Sequence, residues 1–137
     1  MKKILAVDYG DARTGLATSD PLGLLASAAG VIEGRRAEVV ADLVAEEAKR
    51  LGAAMILLGY PKNMDGSEGP RAQKTLAFKE LLEARFEGEI VLRDERNTTV
   101  SATRILNETN TRGKKRKAIV DAVAATVLLQ DYLDSLR

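Results

Sequence analysis

Three acidic positions interrupt apolar stretches of this chain, and their types and spacing suit metal-assisted chemistry. Asp8 closes the run Ile4-Leu5-Ala6-Val7. Asp94 and Glu95 follow Ile90-Val91-Leu92-Arg93. Asp121 is the one charge between Ala118 and Leu129, and at helical spacing its neighbours are Ala124, Ala125, Leu128 and Tyr132. A buried carboxylate without compensation costs several kcal/mol. A metal, a cation or a shifted pKa has to offset that cost. Acidic side chains that converge can hold two divalent ions about 4 Å apart, one activating water and the other stabilising a leaving oxygen.

Composition removes most alternatives. The 137 residues include no Cys and no His. Disulfides, Cys/His zinc sites and Ser-His-Asp or Cys-His triads are therefore excluded. Any acid, base or metal ligand must come mainly from the 20 Asp and Glu residues, which favour Mg²⁺ or Mn²⁺. Lys and Arg total 21, for a net charge of +1, so only charge distribution can speak for nucleic acid. At 4% aromatic residues, a single-strand stacking platform is unsupported. Too few apolar residues precede Asp8 for a signal peptide, and no run approaches the roughly 18 of a membrane span. The expectation is one cytoplasmic domain over residues 1–137, with no membrane partner.

The run Arg112-Gly113-Lys114-Lys115-Arg116-Lys117 precedes the stretch carrying Asp121. A phosphate backbone led toward Asp121 would meet these charges first. A solvated helix start is the plainer reading, but cations at a helix N-terminus are unfavourable without an anionic ligand. The segment Asn63-Met64-Asp65-Gly66-Ser67-Glu68-Gly69 reads as a turn with a helix cap or as a mobile substrate loop. Tyr9 and Tyr60 each follow a strand, where packing is a simpler role than base stacking.

The elements that must position these residues follow from periodicity. Lys3 to Tyr9 reads as a central strand. Thr14–Ser19 and Leu24–Ile32 continue it as an antiparallel meander, separated by turns at Gly10-Asp11 and Asp20-Pro21-Leu22-Gly23. Ala37–Leu51 has helical spacing and stops at Gly52. Ala54–Leu58 is a short buried strand. A helix opening at Pro70 presents Leu76, Phe78, Leu81, Leu82 and Phe86 and ends at Gly88. Glu89–Arg93 is a strand, a short helix runs from about Thr98 to Asn107, and a basic linker leads to a last helix ending near Leu136. The order βββαβαβαα implies an α/β fold with a mixed five-stranded sheet, three antiparallel strands followed by two parallel ones. Right-handed crossovers make the first, fourth and fifth strands parallel neighbours. Their carboxyl ends then share one edge, the usual site in such sheets. The alternation leaves open which of Asp94 and Glu95 points inward.

Four segments together resemble the YqgF (RuvX) family: Asp8-Tyr9-Gly10-Asp11-Ala12-Arg13-Thr14-Gly15-Leu16-Ala17, GYPKNMDGSEG from Gly59, DERNTT from Asp94, and KKRKAIVDAVAATVLLQDYLD from Lys114. The resemblance covers nearly the whole chain in order. It implies an RNase H-like fold with helices on both faces of the sheet. It also implies nuclease activity, on the 5′ end of pre-16S rRNA or on Holliday junctions. By motif it carries the acidic site onto Asp8, Glu95 and Asp121, choosing Glu95 over Asp94. Asn97 stands where the family commonly has Leu, which exchanges an apolar contact for a good helix cap.

The leading expectation is a divalent-metal-dependent endonuclease acting by water attack on a phosphodiester. Asp8, Glu95 and Asp121 hold Mg²⁺ or Mn²⁺, two ions in all, and Arg13, Lys114, Lys115 and Lys117 meet phosphates of a precursor rRNA. Junction resolution on branched DNA is second. A nucleotide-binding ATPase or kinase, or a non-catalytic nucleic-acid-binding module, are readings of other classes. The first usually needs two such domains, and the second leaves misplaced acids that would repel phosphate. Both monomer and homodimer fit the sequence, and symmetric cutting of a two-fold junction would need the dimer.

Overall fold

The computed structural model describes residues 3–61, 65–94 and 113–136, with the backbone alone for 113–121. Its strands are β1 (Lys3–Asp8), β2 (Arg13–Ser19), β3 (Ala26–Glu33), β4 (Ala53–Tyr60) and β5 (Glu89–Asp94). Its helices are α1 (Ala37–Leu51), α2 (Pro70–Glu83) and α3 (Gly113–Ser135). One sheet runs in the order β3-β2-β1-β4-β5. The pairs β1–β2 and β2–β3 are antiparallel, while β1–β4 and β4–β5 are parallel. This is the expected meander followed by crossovers, with β1 in the centre.

β1 and β4 are apolar at consecutive positions because both of their faces are covered. Leu5, Val7, Leu16, Ile56 and Leu58 pack with α1 (Val40, Ala41, Val44, Ala48) and α2 (Phe78, Leu82). Ile4, Ala6, Ala17 and Leu57 pack with Ala125, Leu128, Leu129 and Leu133 of α3 on the other face. Alternation along each strand assigns the two sets, since neighbouring side chains point to opposite faces.

Several expected boundaries shift for local reasons. β3 begins at Ala26, because the Asp20 carboxylate accepts the amides of Leu24 (2.7 Å) and Leu25 (3.3 Å) and holds both in the turn. These amides keep the Asp20 carboxyl below its usual range, Leu24 contributing most. α2 ends at Glu83, short of Gly88, and the amides of Arg85 and Phe86 close onto Leu82 O. Its buried face includes Ala72 and Thr75 besides Phe78 and Leu82. α3 starts at Gly113, so the expected basic linker is largely the first turns of a helix. The short helix expected at 98–107 lies outside the described residues.

The later turns of α3 are tied to the sheet by polar contacts. Gln130 Oε1 accepts from Ala26 N at 2.9 Å, and its Nε2 donates to Leu24 O at 3.0 Å. Arg93 of β5 donates to Asp131 (2.8 and 3.1 Å) and lies 5.5 Å from the Tyr132 ring centroid. At the amino end of β1 the buried Ser19 hydroxyl accepts the Ile4 amide at 2.9 Å. Ser19→Ala removes that acceptor and leaves a buried N–H unpaired, a loss of about 1–3 kcal/mol. A thermal melt should fall by several degrees; an unchanged melt would show that the bond contributes nothing.

Candidate active site at the carboxyl edge of the sheet

Asp8 is the last residue of β1 and is half-buried. It shares its alternation with Ile4 and Ala6, so it falls on the α3 face. Its partner across the antiparallel ladder is Gly15. One step beyond the Val7–Leu58 pair of the parallel ladder stands Gly59, which is paired with Arg93. Both glycines are buried. On the α3 face Asp8 therefore has no side chain beside it from either adjoining strand, and the layer above can come close. Arg13 lies two residues before Gly15 with the same alternation, on Asp8's face and past the end of β1.

The two adjacent acids after β5 are not equivalent. Asp94 alternates with Ile90 and Leu92, which pack against the α1/α2 core. It therefore falls on the face opposite Asp8, a distinction that periodicity alone left open. Glu95 lies outside the described residues, as do the side chains of Asp121, Lys114, Lys115 and Lys117. The inner α3 positions read as neighbours of Asp121 are buried at Ala124, Ala125 and Leu128, with Tyr132 packed beside them. Among the described residues no group of three or more acids could hold a metal. Asp8 is the one expected ligand whose side chain is described.

The turn after Asp8 divides its residues between the two faces. Tyr9 stacks on Phe78 with ring centroids 4.0 Å apart and planes 7° from parallel. Burial first, then the Asp11 charge, raises the Tyr9 phenol above its usual value. Tyr60 is buried too, and burial followed by a hydrogen bond with Glu68 raises its phenol. Asp65 takes the expected turn, accepting from Ser67 N (2.9 Å) and Ser67 Oγ (2.6 Å). The expected helix cap there is absent, since Gly69 precedes α2 without a side-chain cap bond. Asn63 and Met64 lie outside the described residues.

One group escaped the sequence reading. Asp11 accepts from Lys74 Nζ at 3.1 Å, and this bond above all holds its carboxyl below the usual range, with Arg71 and Arg35 adding to the effect. The four residues come from three separate segments, so no local pattern announced the group.

A family model described as "RuvX: Holliday junction resolvase" matches residues 2–135. The chain belongs to the RuvX family. A RuvX relative from Clostridium botulinum (strain Hall) is 46% identical over 138 residues, covering 98% of each chain. Another from Acetivibrio thermocellus is 43% identical over 135 residues, covering 97% of this chain and 96% of its own. Both carry the name "Putative pre-16S rRNA nuclease". Thermus thermophilus RuvC, solved with a Holliday junction substrate, superposes with a TM-score of 0.64 at 11% identity, over 99% of this chain and 96% of that one. Fowlpox virus resolvase, solved with Holliday junction DNA, gives 0.60 at 15% identity, over 98% of each chain. At such identities these likenesses establish the fold, which is RNase H-like as the motifs implied.

Gly10 links Asp8 to Arg13 by close approach, since a Cβ there would lie 2.4 Å from the Arg13 carbonyl oxygen. Gly10→Ala must displace that turn, at a cost of about 1–3 kcal/mol. Melting should show the loss, and nuclease assays should show a further fall as Arg13 shifts relative to Asp8. A variant with wild-type melting and activity would mean that the turn adapts without cost.

Proposed function

We propose that this RuvX protein is a divalent-metal-dependent endonuclease that hydrolyses phosphodiester bonds in structured nucleic acid, with the 5′ end of pre-16S rRNA as its substrate. One observation carries the proposal. The one described member of the acidic set, Asp8, ends the central strand on the α3 face, between two buried glycines. The names of relatives at 43–46% identity support rRNA as the substrate. A processing role on rRNA fits the cytoplasm, and no described helix is long and apolar enough to cross a membrane.

Backbone arithmetic supports Asp121 as a partner of Asp8. Gln130 bonds Ala26, which pairs with Ser19, whose hydroxyl holds the Ile4 amide. Gln130 thus marks the level of Ile4. Nine residues back along α3 is roughly 13.5 Å. The four residues from Ile4 to Asp8 span roughly 13 Å. Glu95 completes the set by its place in the DER motif, and Asp94, on the opposite face, does not substitute for it.

A donor set made only of carboxylates fits Mg²⁺ or Mn²⁺. Bound ions would activate water and stabilise the leaving oxygen. Asp8, Glu95 and Asp121 would hold them. Arg13, Lys114, Lys115 and Lys117 would orient the phosphate backbone. The family description and the RuvC-like fold favour junction resolution as the second reading. Incubating precursor rRNA and a four-way DNA junction side by side, with Mg²⁺, Mn²⁺ or EDTA, separates the two.

Asp8→Asn keeps the shape and removes one charge from the site. Cleavage should fall on the order of 10³-fold, as when other preorganised electrostatic groups are lost. Robust cleavage in EDTA, or full activity of this variant, would sink the metal mechanism.

Asp121→Asn tests the other wall. If Asp121 faces further acids beside an apolar helix, the metal-free fold carries desolvation and like-charge repulsion. The substitution should then abolish cleavage and leave apo stability unchanged or higher. A carboxylate paired with a buried cation would instead cost about 3–5 kcal/mol when removed. Melts of both proteins in EDTA read the sign, and a large loss would remove Asp121 from the site.

A further inference from the structure

A hollow opens at the same sheet edge, on the side away from Asp8. Its volume is about 490 Å³, and Tyr9, Asp11, Arg35, Lys74 and Phe78 are among the residues lining it. Arg71 borders the adjoining recess beside Gly10 and Thr75. Three cations thus converge from two segments: Arg35 just before α1, and Arg71 and Lys74 from the first turns of α2, with Asp11 of the β1–β2 turn between them.

Two acids stand nearby. Asp11 is bonded to Lys74, and Glu38 lies close enough to act on the Tyr9 phenol. No acidic residue occupies the first turn of α2, so Arg71 adds its charge to the positive end of that helix. The rim stays open to solvent, with the Lys74 and Asp11 side chains 61% and 64% exposed. The Tyr9 ring is committed to Phe78, so the floor of the hollow is apolar and its rim is basic. A sugar lies well against such a floor while its phosphates meet the rim.

We infer that the Arg35, Arg71 and Lys74 shelf binds the phosphodiester backbone of a nucleic-acid strand whose scissile bond lies at Asp8. The inference rests on the nuclease reading and deepens it. From Asp8 to Asp11 the chain can extend at most about 10 Å. A strand advances about 3.4 Å per phosphate along a duplex axis. The shelf therefore meets phosphates a few nucleotides from the bond that is cut, on the opposite face from Arg13.

The test is the triple variant Arg35→Gln, Arg71→Gln, Lys74→Gln. Binding is measured in an Asp8→Asn background with Mg²⁺, using a labelled RNA duplex bearing a single-stranded 5′ extension and a labelled four-way DNA junction. Affinity for both probes should fall about tenfold or more. The slope of log K against log salt should drop by about one for each cation–phosphate pair removed. With Asp8 restored, kcat at saturating substrate should stay within about twofold while KM rises. Asp11→Asn should act in the opposite direction and tighten binding. These side chains are exposed, and each single Gln variant should lower the slope by about one if the triple variant folds poorly. Unchanged affinity and slope, with Asp8-dependent cleavage intact, would overturn the shelf and leave the nuclease reading standing. A loss confined to one probe would uphold the shelf for that substrate class alone, because A-form RNA and branched DNA present their phosphates differently. Binding that depends on the shelf without any Asp8-dependent cleavage would uphold the shelf and refute the nuclease.

Discussion

β1 must be buried on both faces at once, and the rest of the molecule is arranged to meet that demand. Leu5 and Val7 need one helical layer, and Ile4 and Ala6 need another. α1 and α2 supply the first and α3 the second. Crossovers to parallel β4 and β5 place α1 and α2 together on one side, as right-handed connections require. Among the described residues, α3 then covers the other side. With the layers assigned, the face on which β1's final carboxylate emerges is no longer free to vary. A slip of one residue would turn Asp8 toward Phe78 and the α1/α2 core.

The residues beside Asp8 fit the same demand. Gly15 and Gly59 flank it where larger side chains would hold the α3 layer away. Glycine in a strand sacrifices packing and adds chain entropy to the unfolded state, roughly 0.5–1 kcal/mol relative to Ala. Two such positions around one acid trade stability for access, as a site that must admit a phosphate and its counterions would require. Arg93 works in the opposite sense. Paired with Gly59, it reaches Asp131 and Tyr132 and fastens β5 to α3.

The helices on both faces were what the family resemblance implied, whereas strand order could be read from the chain because central strands leave a continuous apolar signature. Asp8 was visible for the same reason, as a charge ending such a run. Asp94 was ambiguous because one-residue alternation has no origin until a partner fixes it, and that partner is the α1/α2 core under Ile90 and Leu92. The start of β3 was not legible because a side-chain contact decides it: Asp20 captures the Leu24 and Leu25 amides that a strand would otherwise use. The end of α2 falls earlier than its periodicity suggests because Phe86 continues the apolar pattern after the helix has stopped. The cation group around Asp11 left no trace in any one window, since positions 11 and 35 meet the 71/74 pair of α2 only after folding.

The turn from Asp8 to Arg13 shows how one short segment serves two faces. Asp8 ends the strand toward α3. Tyr9, the next residue, turns to the other layer and seals it against Phe78. Gly10 lets the chain pass against the Arg13 carbonyl, which no side chain there would allow. Asp11 accepts from Lys74 of α2 in a solvent-exposed pair on that same opposite side. Arg13 then opens β2 on Asp8's face. Asp8 and Arg13, the proposed metal ligand and phosphate contact, thereby fall on one side, with the turn between them packed against the opposite layer. Packing of Tyr9 on Phe78 and the close passage at Gly10 thus support the segment between Asp8 and Arg13 from the layer opposite to both, an arrangement that suits the preorganised electrostatic site proposed for them.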